Sequence, residues 1–272
     1  MRLLTLFVLF QLAALLSIAQ IPYGNNPSAG KYFNVGDAKL YYEIYGTGAP
    51  IVLLHGGVYG GIDEFEPFIT RLSEKFQVIC IATRGHGKSE IGKGPFTWQQ
   101  RGDDAYKVIR SITKDSVMVL GFSDGGFSAY KLAASYPDVV KRMIVIGAGD
   151  RAKGTAEKNE YSKDMLLAQS KEYFENRLKI MPEPDRWNEC LGYLNKLYND
   201  DVLSTETFSK IKCPTLIMAG DRDHGHSVEK CTIVHRNIKN SQLSIVPDCG
   251  HVVFYCNFPA LWESMKPFIG IQ

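Results

Sequence analysis

A serine between two glycines is the residue of this 272-residue chain best placed to do chemistry. Ser123 lies in the sequence Gly-Phe-Ser-Asp-Gly-Gly, after the apolar run 116–120 and before a helical stretch at 125–136. A strand, a sharp turn and a helix in that order predict a strained turn that holds the serine hydroxyl above the edge of a sheet. Gly121 and Gly125 fit this turn because the helix must fold back closely against the strand. The pattern predicts a nucleophilic serine, and the alternative is an ordinary glycine-rich turn.

The partners that such a serine needs are present downstream. A serine hydroxyl attacks only when a base accepts its proton, and a third group must orient that base. The apolar stretch 214–219 is followed by Asp221 and Asp223, and His251 follows the next apolar stretch. Both loops come after the carboxyl ends of predicted strands, where open α/β sheets build their sites. The order serine, aspartate, histidine is the one used with this type of turn, so we predict Ser123 as nucleophile and His251 as base.

Several motifs in the correct order resemble the α/β-hydrolase family over about residues 31–270. They are Ile-Val-Leu-Leu-His-Gly-Gly at 51–57, Arg-Gly-His-Gly-Lys-Ser at 84–89, Gly-Asp-Arg-Asp at 220–223 and Gly-His at 250–251. The resemblance implies an α/β fold, with a mainly parallel central sheet covered by helices and a helical cap insertion. It also implies a triad of Ser123, His251 and Asp223, since the acid of the family lies three residues after the glycine of its turn. Asp221 is the alternative acid.

The negative charge that develops on an attacked carbonyl oxygen needs hydrogen-bond donors. The serine turn supplies the backbone N–H of Asp124, and the loop after an earlier strand supplies that of Gly57. The chain departs from the family at one position, where Ala82 replaces the usual acidic residue two positions before the arginine of the second motif. The sequence therefore leaves open how Arg84 and Ser89 are held.

The other histidines and the glycines give no sign of a metal or a cofactor. The resemblance implies that His55 braces its turn rather than transfers protons. His224 and His226 lie beside Asp223 and could imitate a metal cluster, but no third or fourth ligand is close in sequence. The chain has neither a Gly-x-Gly-x-x-Gly motif after a strand nor a phosphate-binding loop. We expect no metal and no cofactor.

Strands and helices are predicted to alternate along most of the chain, which indicates a mainly parallel sheet covered on both faces. After a hairpin at 31–45, the predicted strands are 51–54, 77–82, 116–120, 142–147, 214–219 and 241–246, and the helices are about 64–74, 98–112, 125–136, 227–237 and 259–268. The alternation stops at 151–209, where helices are predicted at 156–169, 171–179 and 184–198. We therefore expect a hydrolase core at 31–150 and 210–272.

The resemblance implies that segment 151–209 is a helical cap over the active site, which would exclude water from the reaction. Trp187, Leu191, Leu194 and Tyr198 share one apolar helix face in this segment. Trp187 is thus a candidate for contact with substrate. The alternative is that this face packs the cap onto the core.

The first 19 residues are expected to direct export. Residues 1–19 combine a basic start, a short apolar run and a small-residue cleavage site, which predicts a signal peptide. The apolar run is short for a membrane span of ~20 residues, so we expect no stable membrane anchor after cleavage. Residues 20–30 are predicted to be a flexible leader, and the mature protein is expected in the periplasm or outside the cell.

Export permits disulfides among the six cysteines, which are Cys80, Cys190, Cys213, Cys231, Cys249 and Cys256. Cys80 lies in an apolar strand and is expected to be a buried thiol. We hypothesise one or two bridges among the last four cysteines, but the sequence does not choose the pairing. Net charge is +2 without a long basic run, so no nucleic-acid partner is expected. The oligomeric state is open.

Together these features predict an exported serine hydrolase that cleaves a small-molecule ester or amide through an acyl-enzyme. The Ser-Asp-Gly-Gly turn also resembles that of the valacyclovir-hydrolase (biphenyl hydrolase-like) group, whose members favour amino-acid esters. This resemblance implies that the Asp124 side chain holds a substrate ammonium, and the alternative is a local hydrogen bond. Other functions left open are a C–C bond hydrolase, a perhydrolase, a proline iminopeptidase-like enzyme, and a slow or non-catalytic small-ligand binding protein.

Overall fold

The computed structural model describes residues 21–154 and 158–271. The predicted signal peptide at 1–19 lies outside this part of the chain. Within the described residues, no helix is both long and apolar enough to cross a membrane.

The described chain forms one eight-stranded sheet with the strand order β1-β2-β4-β3-β5-β6-β7-β8. Strands β1 and β2 form a hairpin, β2 pairs with β4 in the antiparallel direction, and the other neighbours are parallel. The mainly parallel sheet predicted from the alternation is therefore confirmed. The strands are Gly30–Asn34 (β1), Lys39–Tyr45 (β2), Ala49–Leu54 (β3), Phe76–Ile81 (β4), Val117–Phe122 (β5), Val140–Ile146 (β6), Thr215–Gly220 (β7) and Ser241–Val246 (β8).

Helices cover both faces of this sheet. The side chains of a strand alternate between the two faces, so each strand contributes to both layers of the core. In β5, Val117 and Val119 join one hydrophobic cluster with α2, α3 and α8, whereas Met118 and Leu120 join the other with α1 and α10. The central strand is therefore apolar throughout, as expected of a parallel strand buried on both sides. The helices are Glu66–Leu72 (α1), Trp98–Ile112 (α2), Asp124–Ser135 (α3), Lys163–Gln169 (α4), Lys171–Ile180 (α5), Trp187–Asp200 (α6), Thr205–Ser209 (α7), Val228–Asn237 (α8), Val253–Cys256 (α9) and Phe258–Ile269 (α10).

Helices α4, α5 and α6 occupy most of the segment in which the sequence predicts a cap. The first of them begins at Lys163, after the N-cap Ser162, and not at 156 as predicted. The hydroxyl of Ser162 accepts a hydrogen bond from the Met165 N–H at 3.3 Å, which favours a helix start at this position. The bounds 151–209 of a separate cap stay a prediction.

Arg84 and Ser89 are held by residues that the sequence did not point to. The Arg84 guanidinium bonds to Asp104 of α2 at 2.6 Å and to Asp37 of the β1–β2 turn at 2.8 Å. The Ser89 hydroxyl donates to the carbonyl of Ala82 at 2.8 Å. Two carboxylates that are distant in sequence thus replace the acidic residue missing at position 82, and Arg84 holds the pKa of Asp37 well below its ordinary value.

Candidate active site

Ser123 lies on a sharp turn between β5 and α3, with its backbone in the left-handed region at φ 51°. The Ser123 N–H donates to the carbonyl of Ile146 in the neighbouring strand at 2.8 Å, which ties the turn to the sheet. The close approach of strand and helix requires both glycines. A Cβ on Gly121 would lie 2.4 Å from the carbonyl oxygen of Gly125, and one on Gly125 would lie 1.9 Å from that of Leu54.

Three predicted residues from distant parts of the chain meet at this turn. His251 Nε2 lies 2.9 Å from Ser123 Oγ, and His251 Nδ1 lies 2.7 Å from Asp223 Oδ2. A carboxylate only accepts hydrogen bonds, so the proton of the neutral imidazole belongs on Nδ1 and leaves Nε2 free to accept the serine proton. The three side chains thus have the arrangement expected of a serine nucleophile, its base and the acid that orients the base.

Asp223 is held as an ionised, oriented acceptor. Its side chain is 2% exposed, and its second oxygen accepts the His226 backbone N–H at 2.9 Å. Burial alone would raise the pKa of Asp223, but the hydrogen bond and charge of His251 outweigh it and lower the pKa below its ordinary value. The exposed Asp221 does not reach His251, and it instead accepts the Cys249 N–H at 3.2 Å. The geometry therefore favours Asp223 over Asp221 as the acid.

The two residues predicted to supply the oxyanion hole lie side by side. Asp124 is the first residue of α3, so its N–H has no carbonyl in a preceding turn to bond. Gly57 lines the cavity above Ser123, and a Cβ placed on it would lie 3.7 Å from Asp124 Cβ and 2.5 Å from Tyr198 Oη. Their positions are compatible with two backbone N–H groups that donate to the same oxyanion. The role of Gly57 and Asp124 as the oxyanion hole stays a proposal.

The loop that carries Gly57 is braced at Gly56, whose carbonyl and N–H are both bonded to side chains. His55 Nδ1 donates to the carbonyl of Gly56 at 2.7 Å, and the Thr83 N–H donates to His55 Nε2 at 2.9 Å. Glu64 accepts the Gly56 N–H at 2.5 Å. His55 is buried and neutral, because burial and the neighbouring His86 hold its pKa well below the ordinary value. His55 is thus a brace for the loop, in line with the expectation from the sequence.

A cavity of about 480 Å³ opens above Ser123. Helices α5 and α6 contribute to its wall through Tyr173, Arg177 and Tyr198, so the segment predicted as a cap borders the site. The lining is strongly aromatic, and its rings belong to Tyr59, Phe122, Phe127, Tyr161, Tyr173, Tyr198 and Tyr255. Such a cavity suits a small, partly apolar molecule with a few polar groups.

Trp187, the predicted candidate for contact with substrate, does not line this cavity. Its side chain is 7% exposed and packs against Phe174, with ring centroids 5.6 Å apart. Of the apolar face of α6, Trp187, Leu191 and Leu194 lie in the hydrophobic core, and Tyr198 at the end of the helix lines the cavity. Helix periodicity located the face correctly but not the residue that reaches the site.

The side chain of Asp124 accepts local hydrogen bonds, which was the alternative to binding a substrate ammonium. Its Oδ1 accepts the indole N–H of Trp98 at 2.6 Å. Its Oδ2 accepts from the Arg101 guanidinium and from the Tyr198 hydroxyl, the latter at 3.1 Å. Arg101 and Asp124 form a buried ion pair, with side chains 1% and 2% exposed. The carboxylate is therefore already neutralised, and the ammonium-binding role implied by the resemblance is not supported.

His226 is a cavity residue that the sequence singled out only for a metal cluster. Its ring centroid lies 5.0 Å from that of His251. Burial and the neighbouring His251 lower the pKa of His226 to about 3, so this ring is neutral at physiological pH. In the described parts of the chain, no group of three metal-ligating side chains comes together.

One disulfide forms among the four cysteines considered for bridges. Cys249 and Cys256 are bonded, and they flank His251 in sequence. Cys213 and Cys231 are buried free thiols, as is Cys80, for which burial was predicted. The bridge closes the loop that carries the predicted base, whereas the Asp223 loop contains no bridged cysteine.

Glu64 gives the site a testable dependence on pH. It is half-buried at the cavity wall, and burial raises its pKa from 4.5 to about 8, against the opposing hydrogen bond from Gly56. At a pH between these two pKa values, Glu64 keeps its proton in the folded chain and releases it in the unfolded chain. The contribution of Glu64 to the free energy of unfolding therefore falls as pH rises from about 5 to about 8.

We expect Glu64→Gln, which cannot ionise, to remove this contribution, so that the variant gains stability relative to wild type as pH rises. Urea unfolding at intervals from about pH 5 to about pH 8 measures the difference. Glu66→Gln, at an exposed position two residues away, is the control and should follow the wild-type slope. An unchanged slope in Glu64→Gln would contradict the assignment.

Comparison with known proteins shows which proteins this chain is similar to. A model of the alpha/beta hydrolase fold matches residues 49–179. The protein RutD of Azorhizobium caulinodans is 32% identical over 157 residues, covering 57% of this chain and 59% of that protein. Human serine hydrolase BPHL is 25% identical over 234 residues, covering 80% of this chain and 78% of that protein.

Solved structures agree with this similarity. The esterase EaEST from Exiguobacterium antarcticum superimposes with a TM-score of 0.70 and 26% identity, covering 89% of this chain and 99% of that one. The chain has the α/β-hydrolase fold, and its sequence is similar to a model of that fold and to proteins of that family. It is a hydrolase.

Proposed function

We propose that this protein is an exported serine hydrolase that cleaves a small ester through an acyl-enzyme. The observation that carries the proposal is the continuous pair of contacts from Ser123 through His251 to Asp223, at 2.9 and 2.7 Å. Nucleophile, base and orienting acid must stand in this relation before a serine hydroxyl can attack a carbonyl carbon. Export rests on the predicted signal peptide at 1–19.

The chemistry follows from the placement of these groups. Ser123 Oγ attacks the ester carbonyl carbon while its proton passes to His251 Nε2. The resulting oxyanion accepts hydrogen bonds from the N–H groups of Gly57 and Asp124, each worth about 3 kcal/mol of transition-state stabilisation. The intermediate then collapses, the carbon–oxygen bond to the alcohol breaks, and His251 returns its proton to the leaving alcohol. Water repeats the sequence on the acyl-enzyme and releases the acid.

The cavity and the relatives support an ester as substrate. A volume of about 480 Å³ accommodates a small acyl group and its alcohol. A solved relative at 26% identity is named an esterase. Amides and carbamates would pass through the same steps, and one relative is named a carbamate hydrolase. Amino-acid esters have no special support, because Arg101 already neutralises Asp124.

Labelling with a fluorophosphonate probe tests the proposal. We expect the probe to modify the folded protein at Ser123, as mapped by peptide mass spectrometry, because only an activated serine attacks phosphorus at a useful rate. Labelling should be lost in His251→Ala and retained in His224→Ala, a histidine with an exposed side chain that does not contact Ser123. A folded protein that stays unlabelled would overturn the enzyme proposal in favour of the ligand-binding alternative.

A further inference from the structure

Arg151 is a cavity residue for which the reaction described above has no use. It follows β6 and lines the same cavity as Ser123. Its backbone is fixed, because its N–H donates to the carbonyl of Leu203 at 3.2 Å and the Leu203 N–H donates back at 3.0 Å. The guanidinium is therefore presented from an anchored position.

The guanidinium of Arg151 is only partly satisfied. One Nη atom donates to the carbonyl of Tyr198, and the buried Nε has no hydrogen-bond partner in the described chain. The guanidinium carbon lies 5.3 Å from the ring centroid of Trp98 and 5.7 Å from that of Phe127. These rings hold its plane in place but supply no full negative charge. Burial lowers the pKa of Arg151 by more than the charges of Asp124 and Asp201, neither of them in ion-pair contact with it, raise that pKa.

The carboxylates around the cavity are already engaged elsewhere. Asp124 is paired with Arg101, and Asp63 faces Arg177 at 3.4 Å. Glu64 has a pKa of about 8 and is largely protonated at neutral pH.

The acid of the triad is engaged as well, since Asp223 accepts hydrogen bonds from His251 and from the His226 N–H. Among residues 21–154 and 158–271, Arg151 is thus a cavity arginine with no carboxylate in ion-pair contact. A partly buried, unpaired cation is costly, and an anionic ligand group would offset that cost.

We propose that Arg151 binds a carboxylate of the substrate, so that the natural substrate is a short ester carrying a second, free carboxylate. This inference rests on the proposed function, and it names the substrate class of the same site. A guanidinium offers two parallel N–H donors that match a carboxylate, and the aromatic wall strengthens the contact by excluding water. The shared cavity of about 480 Å³ limits the distance between the scissile carbonyl and the carboxylate to a few carbon atoms.

A matched pair of substrates tests the proposal. Monoethyl adipate and ethyl adipamate have the same chain and ester, and they differ only in a terminal carboxylate or carboxamide. We expect wild type to show a kcat/KM about 10- to 100-fold higher for the carboxylate, the range of a charge-assisted hydrogen bond. In Arg151→Met this ratio should fall to about one, and in Arg151→Lys it should be intermediate, because lysine keeps the charge but not the planar pair of donors.

The ratio separates binding from a purely structural role, since a loosened cavity would lower both rates together. Arg236→Met removes an exposed arginine of α8 and should leave the ratio at the wild-type value. Equal rates for the two esters in wild type would overturn the proposal and leave ester hydrolysis intact. A preference that survives in Arg151→Met would overturn the assignment to Arg151.

Calorimetric titration with adipate tests the same contact without turnover. We expect wild type to bind adipate at least about tenfold more tightly than Arg151→Met. Failure of the proposed function gives a different pattern, in which neither ester is cleaved and the fluorophosphonate probe does not react. Adipate binding would still support Arg151 in that case, and equal affinity of the two proteins would overturn it.

Discussion

Ser123→Ala is expected to abolish ester turnover, with kcat lower than wild type by about four to six orders of magnitude. The variant loses the one atom that attacks the carbonyl carbon, and His251 Nε2, 2.9 Å from Ser123 Oγ, then has no serine proton to accept. Cavity and oxyanion donors remain, so a small residual rate above that of water is consistent with the proposal. Initial rates on a chromogenic ester, with a melting curve to show the fold intact, measure the effect.

Ser135→Ala is the matched control for this experiment. Ser135 is the last residue of the same helix and is exposed, and its hydroxyl bonds to the side chain of Gln99. We expect its rate to stay within a few-fold of wild type. If Ser123→Ala retained a rate near wild type, another nucleophile would be at work and the assignment of Ser123 would be wrong.

The triad could be predicted because each member has a signal in its own neighbourhood. Ser123 is marked by glycines whose absence of a Cβ the turn requires, and Asp223 and His251 each follow a predicted strand. In a parallel sheet the carboxyl ends of strands meet at one edge, so chain order alone brings such loops together. The predicted helix at 98–112 matches α2 for a similar reason, since Thr97 caps the Gln100 N–H.

Local signals also explain where the predicted elements shifted. The helix predicted at about 64–74 is a short 3₁₀ turn over Ile62–Phe65 followed by α1. Pro67 lies at the start of α1, a position that suits proline because its missing N–H would be unbonded there anyway. Pro67 thus marks the boundary between the 3₁₀ turn and α1, and the prediction of one continuous helix did not take it into account.

The residues that shape the pocket were not predictable in this way, because their roles arise from contacts between distant segments. Nothing near Asp124 indicates that Arg101 neutralises it, and nothing near Arg151 indicates that it lacks a counter-ion. The sequence shows the charge of each residue but not which charges meet. The amino-ester interpretation of Asp124 loses its support for this reason. The packing of Trp187 in the core was not predicted either, because periodicity does not say what a helix face packs against.

Asp223→Asn is expected to lower kcat by about 10⁴-fold while the protein still folds. Both oxygens of Asp223 act as acceptors, Oδ2 from the Nδ1–H of His251 at 2.7 Å and Oδ1 from the His226 N–H at 2.9 Å. Asparagine has only one acceptor oxygen. If that oxygen keeps the bond from His226, the amide NH₂ faces His251 and favours the tautomer with its proton on Nε2, which cannot accept the proton of Ser123.

Asp221→Asn is the control that separates the two aspartates of the turn. Asp221 accepts a single N–H, that of Cys249 at 3.2 Å, and the asparagine oxygen can accept the same bond. We expect its kcat to stay within a few-fold of wild type. Steady-state rates of both variants, with melting temperatures for folding, decide the question. A large loss in Asp221→Asn together with a small one in Asp223→Asn would reverse the assignment, because the acid that fixes the tautomer of His251 is the one whose replacement stops proton transfer.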